Sequence, residues 1–371
     1  MRVLLSSTGG AGHFGPLVPL IEACARRGDE VLVVAPPRLE PAVARMGCAF
    51  RPGAEPGEDR LAAIQRRIAT APPHEAAVIA NRELFGRLCT AAMLPAVERA
   101  CRDWRPDLVL REAAEYASAV AADRGGVPHA QVAISFADVE AGSLDLAAAE
   151  LERHGDGLVE RLRAAPYLTR FPASLDPSPF PATRRFREVP AAPHAPLPDW
   201  WAASDAPLVY VTFGSVVGGL PVAVEAYRAA IDAAAGLDVR VLVTGVEDPG
   251  TPANVHVEAW VPQAGVLPEA AVVLGHGGSG TTFGALAAGV PLVIVPFFAD
   301  QPVNAARVTA AGAALTVEPG GALAPRLRTA LETVLGDPSY RRAASTVAGE
   351  MRAFPPVDEV LADHRVSSSS A

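Results

Sequence analysis

The chain has 371 residues, half of them hydrophobic and a fifth charged, which suits a packed globular protein and, at this length, two domains rather than one core. A formal net charge of -9 without any basic cluster argues against a nucleic-acid partner, and all cationic side chains are arginine or histidine because the sequence contains no lysine. No apolar run is long enough to span a bilayer, and glycines interrupt the N-terminal one too early for a signal peptide, so no membrane insertion is expected and the cytoplasm is the default location.

In the first half, the segments "RVLLSS" (2–7), "EVLVVAP" (30–36), "DLVLRE" (107–112) and "HAQVAIS" (129–135) read as continuous apolar strands of a parallel sheet covered on both faces. "PLVPLIEACARRG" (16–28) has helical apolar spacing and ends on Gly28, a C-terminal glycine stop. Cys24, Cys48, Cys89 and Cys101 are scattered without CxxC spacing, which suggests neither a disulfide framework nor a zinc site.

From 166 to 201 the chain is dense in proline and poor in periodicity, the texture of an irregular connection. A second β/α series follows, with strands at 207–215, 238–245, 255–260, 271–277 and 291–297, an edge strand at 313–318, two amphipathic helices and a serine tail expected to be disordered. The expected domains are 1–190, a linker 191–206, a second domain 207–354, and a C-terminal segment with tail at 355–371. Two such parallel α/β domains are expected to face a cleft with their carboxyl strand ends, where open α/β sheets bind ligands.

The turn "GGAGHFGPLVPL" (9–20) leaves the first strand carrying His13. It lacks a dinucleotide fingerprint, and a plain phosphate turn has no need of an imidazole. General-base duty is the natural use of a histidine there; the alternative is a ring that ties down the loop. In the second half "GHGGSGTT" again joins a strand to a helix, where backbone N–H groups and the helix dipole bind phosphate without a lysine. Trp260 offers a flat face for a nucleobase, and Asp300 and Gln301 offer a carboxylate and an amide for sugar hydroxyls. Read blandly, Trp260 is a core residue, the glycines are turn punctuation and Asp300 is a helix N-cap.

The run "AWVPQAGVLPEAAVVLGHGGSGTTFGALAAGVPLVIVPFFADQPVNAARV" resembles the donor-site signature of family 1 glycosyltransferases, and "GGAGHFGPLVPL" resembles their N-terminal turn. The likeness spans essentially the whole chain and is nearest to actinobacterial enzymes that decorate antibiotic aglycones. It implies the GT-B fold, an α/β architecture of two Rossmann-like domains, with acceptor in the first half and nucleotide sugar in the second. Carried over by position, Trp260 stacks on the base and Gln263 sits near the nucleoside. His276, Gly278, Ser279, Gly280 and Thr281 hold the diphosphate, with Gly214 and Ser215 facing it, and Asp300 and Gln301 hold the sugar, with Asn304 following. His13 matches the catalytic base of an inverting transfer that uses no metal and no other cofactor.

Two departures follow. Many relatives carry a ribose-binding glutamate eight residues after the phosphate-turn histidine; here that position is Gly284, which favours a TDP-sugar over a UDP-sugar. The carboxylate that orients the base finds Glu112 as its nearest match, with Glu115 one turn on, a surface glutamate being the alternative. Phe85, Met93, Phe136 and Leu144 are expected to wall an apolar acceptor pocket. The partners implied are an aglycone and a nucleotide sugar, and a homodimer is compatible with the sequence. The competing readings are a UDP-sugar enzyme and a non-catalytic partner that activates another transferase.

Overall fold

The computed structural model describes residues 1–189, 197–201, 204–214, 221–246 and 252–363. The chain divides into two compact units, Met1–Ala191 with Phe354–Ala371, and Ala192–Ala353. In the first unit β1 (Arg2–Ser6), β2 (Glu30–Ala35), β3 (Ala49–Pro52), β4 (Leu108–Glu112), β5 (His129–Val132), β6 (Tyr167–Thr169) and β7 (Thr183–Arg185) form one parallel sheet in the order β3-β2-β1-β4-β5-β6-β7. All five residues of β4 are buried, as a strand covered by helices on both faces must be. The order reverses between β1 and β4, and that switch point is where a doubly wound sheet opens a crevice at its carboxyl edge.

Helix Val18–Arg26 follows β1 after a short helical turn, Ala11–Phe14, and the chain leaves it through Gly28 at φ 74°. Between β3 and β4 stand helices Glu58–Thr70, Pro73–Val78, Ile79–Cys89 and Thr90–Trp104, of which Ile79–Cys89 is wound wide, with i to i+5 bonding. Gly86 lets that wide helix approach helix Ala137–Leu151, since a Cβ at Gly86 would lie 3.1 Å from the Ala147 Cβ. Met93, Phe136 and Leu144, expected as pocket walls, are buried in the core; only Phe85 of that set is partly exposed.

The proline-dense stretch expected to be irregular instead supplies β6 and β7. Three residues each are too few to carry a period, and pairing with β5 and with each other decides their conformation. The segment after 354, left outside both domains by the sequence, docks on the first unit. Arg26 grips Asp358 through two bonds of 3.0 and 2.8 Å, the Val357 amide donates to the Arg187 carbonyl, and Val357, Val360 and Leu361 enter the core under helix Val18–Arg26.

In the second unit β8 (Leu208–Thr212), β9 (Arg240–Thr244), β10 (Val255–Glu258), β11 (Ala270–Gly275), β12 (Leu292–Ile294) and β13 (Ala314–Thr316) stand in the order β10-β9-β8-β11-β12-β13, with the switch point between β8 and β11. Gly275 is required in β11, because a Cβ there would meet the Thr212 carbonyl oxygen at 2.8 Å. Beyond β8, Phe213 packs against Tyr227 and Phe297, and the Tyr227 hydroxyl accepts from the Phe213 amide while donating to the Thr244 carbonyl. That clamp sets the backbone leading into Gly214.

Candidate active site

Each unit presents a chemically loaded turn at its own switch point. In the first, the parallel register Leu5↔Leu110 and Ser6↔Arg111 brings the ends of β1 and β4 level, so the residues that leave β1 meet Glu112 at the end of β4. Thr8 donates twice to Glu112 Oε1, from its amide at 3.0 Å and its hydroxyl at 2.6 Å, and the Ala114 amide donates to Oε2 at 2.7 Å. His13 Nδ1 stands 3.2 Å from Glu112 Oε1, longer and less well aligned than the Thr8 bonds. The His13 side chain is 26% exposed and Glu112 is fully buried, so the ring bridges an enclosed carboxylate and the surface, with Phe85 beside it.

Burial pushes the Glu112 carboxyl up, but the His13 charge and bond and the Thr8 donors outweigh it and bring it down to about 2. The carboxylate is therefore ionised throughout the neutral range. Glu115 does a different job: it accepts from the amides of Ala117 and Ser118 and from the Ser118 hydroxyl, closing the start of helix Ala117–Gly125. Of the two glutamates considered as partner of His13, Glu112 is the one that faces the ring, and it is not on the surface.

In the second unit, the register Thr212↔Gly275 sets Gly214 beside His276. The imidazole is packed between two glycines: a Cβ at Gly214 would sit 2.9 Å from its Cε1, and one at Gly278 would sit 2.4 Å from its Nε2. Gly214 also holds φ 73°, a left-handed conformation that suits glycine. His276 Nδ1 is buried and has no hydrogen-bond partner among the described residues. Burial holds the ring down to about 4 against the opposing pull of Asp300, so it is neutral at physiological pH.

Gly278 stands at the N-cap of helix Ser279–Ala287, and no side chain caps it. Those first amides form the positive end that the sequence suggested. Gln263 Nε2 donates to Thr281 Oγ1 at 3.0 Å and joins the 263–269 turn to this helix. Trp260, just past β10, is 75% exposed, so it is no core residue.

Asp300 occupies the N-cap of helix Gln301–Ala310, yet its side chain makes no cap bond. Instead its Oδ2 accepts from Ser279 Oγ at 2.7 Å and from Asn304 Nδ2 at 3.0 Å, linking the phosphate-type turn to the turn after β12. Gln301 is buried, and its Oε1 accepts from the amides of Phe297 and Phe298, so that carbonyl holds the turn. Ala299 between them sits at φ 57°, a left-handed conformation unusual for a residue with a Cβ, and that bend aims Asp300 inward. Gly280, in the first turn of helix Ser279–Ala287, is exposed. Ser215 lies outside the described residues.

Thr8 and Arg111 escaped the sequence reading. Nothing in "SSTGG" marks Thr8 until β1 and β4 are known to be neighbours, whereas an arginine inside an apolar strand was a visible signal.

Two half-buried imidazoles, each with an enclosed Nδ1, make stability pH-dependent. His129, at the start of β5, is held down to about 4 by burial and then by the Arg111 charge, and His276 is held likewise. Their folded values lie below the ordinary 6.5, so their contribution is complete above pH 6.5 and is lost as pH falls towards 4. Each contributes up to about 3 kcal/mol across that window. Thermal unfolding from pH 7 to 4 should show a falling midpoint, shallower in His129→Gln; equal slopes in the two proteins would contradict the assignment.

Two parallel sheets in one chain, each with a glycine-rich turn at its switch point, one turn ending in a histidine–carboxylate pair and the other in an uncapped helix start, define the GT-B class of sugar transferases. Residues 22–214 match the N-terminal domain and residues 228–365 the C-terminal domain of the family described as erythromycin biosynthesis protein CIII-like. The chain belongs to that family and is a family 1 natural-product glycosyltransferase. It is 32% identical to the L-demethylnoviosyl transferase of Streptomyces niveus over 98% of this chain and 97% of that one. It is 33% identical to the elloramycin glycosyltransferase ElmGT of Streptomyces olivaceus over 98% and 96%. Among solved structures, glycosyltransferase SnogD from Streptomyces nogalater superposes with a TM-score of 0.76 at 28% identity over 98% of both chains. Glycosyltransferase VinC in complex with dTDP superposes with a TM-score of 0.76 at 27% identity over 99% of both. No helix among the described residues is long and apolar enough to cross a membrane.

Proposed function

We propose that this glycosyltransferase moves a sugar from a thymidine diphosphate donor to a hydroxyl of an apolar natural product with inversion at the anomeric carbon, His13 acting as general base. The observation that carries this reading is the His13 Nδ1 to Glu112 Oε1 contact of 3.2 Å, made by an ionised and fully buried carboxylate. An Nδ1–H directed at that carboxylate makes Nε2 the basic nitrogen, and the carboxylate stabilises the imidazolium once Nε2 has taken the acceptor proton. The deprotonating oxygen forms its bond to the anomeric carbon as the bond to the diphosphate breaks on the opposite face. Negative charge then grows on the leaving diphosphate. The uncapped start of helix Ser279–Ala287 and a neutral His276 able to donate a hydrogen bond suit that charge. On this reading no metal is needed for departure.

The donor preference rests on Gly284. Gly284 has no side chain to offer a ribose 2′-hydroxyl, and Leu267 Cδ1 lies 3.1 Å from where its Cβ would stand, which gives the position an apolar neighbour. That suits a 2′-deoxyribose, and VinC and the spinosyn rhamnosyltransferase SpnG were each solved with thymidine diphosphate. Trp260 supplies the surface on which the base stacks.

Calorimetric titration of TDP and UDP tests the donor reading. TDP should bind more tightly than UDP, and Trp260→Ala should weaken TDP by about 1–3 kcal/mol, the worth of one base-on-aromatic stack. Tighter UDP binding would reject the Gly284 argument, and an unaffected Trp260→Ala would remove the tryptophan from the site. The anomeric configuration of the product, read by NMR, tests inversion.

A further inference from the structure

We propose that Arg111 is a positioning residue that holds Glu112 against His13, an inference that rests on the base reading above. Arg111 is the penultimate residue of β4 and is completely buried. Its Nη1 donates to the carbonyls of Glu112 and Ala113 at 3.2 Å each, its Nη2 donates to Gln131 Oε1 at 2.7 Å, and its guanidinium carbon lies 5.7 Å from the centroid of the Tyr116 ring. Its Nε has no partner, and among the described residues no carboxylate stands within ion-pair distance of it. A buried cation without an ion pair is costly, and methionine would fill the same space without that cost.

What the charge does secure is the turn after β4. The two carbonyls Arg111 grips belong to the two peptides that follow the Glu112 Cα, and the N–H of the second of these peptides, that of Ala114, is bound by Glu112 Oε2. The turn is thus held from below by the guanidinium and from above by the carboxylate. Arg111 is itself anchored: Gln131 Nε2 donates to Glu140 Oε2 at 3.0 Å, and Glu140 Oε1 accepts the amides of Ile134 and Ser135 at 2.7 and 2.8 Å. A continuous chain of hydrogen bonds therefore runs from the loop after β5 through Glu140, Gln131 and Arg111 to the backbone of Glu112, whose carboxylate contacts His13.

The direction of a titration separates positioning from plain electrostatics. Among the described residues, the polar and titratable groups around the His13–Glu112 pair are Thr8 from the β1 turn, Arg111, Glu115 and Tyr116 from β4 and its turn, and Cys89 from helix Ile79–Cys89. The Arg38 guanidinium, paired with Glu55, packs against Gly9 in the turn that carries His13, and Glu140 on helix Ala137–Leu151 lies behind Gln131. The Arg111 charge by itself opposes an imidazolium, so its loss alone would raise the pKa of His13. Loss of a Glu112 held in place would lower it.

The test is an NMR titration of the His13 imidazole in the full chain without ligand, assigned through His13→Gln, for wild type, Glu112→Gln, Arg111→Met and the double variant. Glu112→Gln should lower the His13 value by about one unit. Arg111→Met should move it the same way, and adding it to Glu112→Gln should produce no further fall, as expected if Arg111 acts through Glu112. A rise or no change in Arg111→Met, with the fall present in Glu112→Gln, overturns this inference alone. No fall in Glu112→Gln overturns the base reading, and this inference with it. Should Arg111→Met not give a folded spectrum, Gln131→Leu removes the anchor while leaving the charge. The same fall is expected there, and an unmoved His13 overturns the proposal.

Discussion

Replacing His13 with alanine is expected to lower turnover by about a hundred- to ten-thousandfold, the span usual for a lost general base, while TDP affinity stays within about twofold of wild type. The reason lies in where the residue stands. His13 belongs to the first unit, at the switch point between β1 and β4, whereas the diphosphate-type turn is built from β8 and β11 of the second. Removing the imidazole takes away the proposed proton acceptor and leaves the proposed donor contacts intact. Glu112→Gln should give a smaller loss, since an amide keeps the Thr8 contacts but no longer stabilises the imidazolium. An acceptor found by mass-spectrometric screening of aromatic and macrocyclic aglycones with TDP-glucose supplies the assay. Retention of turnover in His13→Ala would refute the base assignment, and a parallel collapse of TDP binding would show that the substitution had disturbed more than the base.

The second large effect is expected from Gly278→Ala. At φ −63° the position tolerates alanine as far as the backbone is concerned, so the whole effect is steric. The new methyl would sit 2.4 Å from His276 Nε2 and 2.9 Å from its Cε1, and the ring has no retreat because Gly214 closes the other side. Overpacking of this kind amounts to about 1–3 kcal/mol, which corresponds to about five- to a hundred-and-fiftyfold in TDP affinity if the strain is relieved by displacing His276 from the phosphate turn. Gly349→Ala, whose Cβ meets nothing within 4 Å, serves as the neutral comparison. Calorimetry with TDP, alongside thermal unfolding, separates a local displacement from general destabilisation. Unchanged affinity would mean that His276 does not contribute to the nucleotide site.

The two β/α series, most of their strands and the turns that carry His13 and His276 were legible because buried parallel strands are continuous apolar runs and because glycine-rich strand-to-helix turns are rare and chemically specific. Strands β3, β6 and β7 were not legible. At three or four residues they have no period of their own and owe their conformation to the neighbour they pair with. The C-terminal segment was invisible as part of the first unit for a related reason. Its apolar residues Val357, Val360 and Leu361 say that it must be buried, but not against which helix.

The same division runs through the site. Residue types and their local spacing determined that a histidine, a glycine-lined helix start, a tryptophan and an Asp-Gln pair were available, since each is set by chemistry within a few residues. Tertiary structure decided what each one faces. The β1–β4 register chose Glu112 over Glu115 as partner of His13, and the turn after β12 turned Asp300 towards Ser279 and Asn304 and committed the Gln301 carbonyl to its own backbone. Tertiary packing sent Met93, Phe136 and Leu144 into the core and left Phe85 beside His13. Contacts between residues about a hundred positions apart, such as Thr8 and Glu112, depend on which strands become neighbours, and that choice is made by burial of the whole sheet rather than by any local run of sequence.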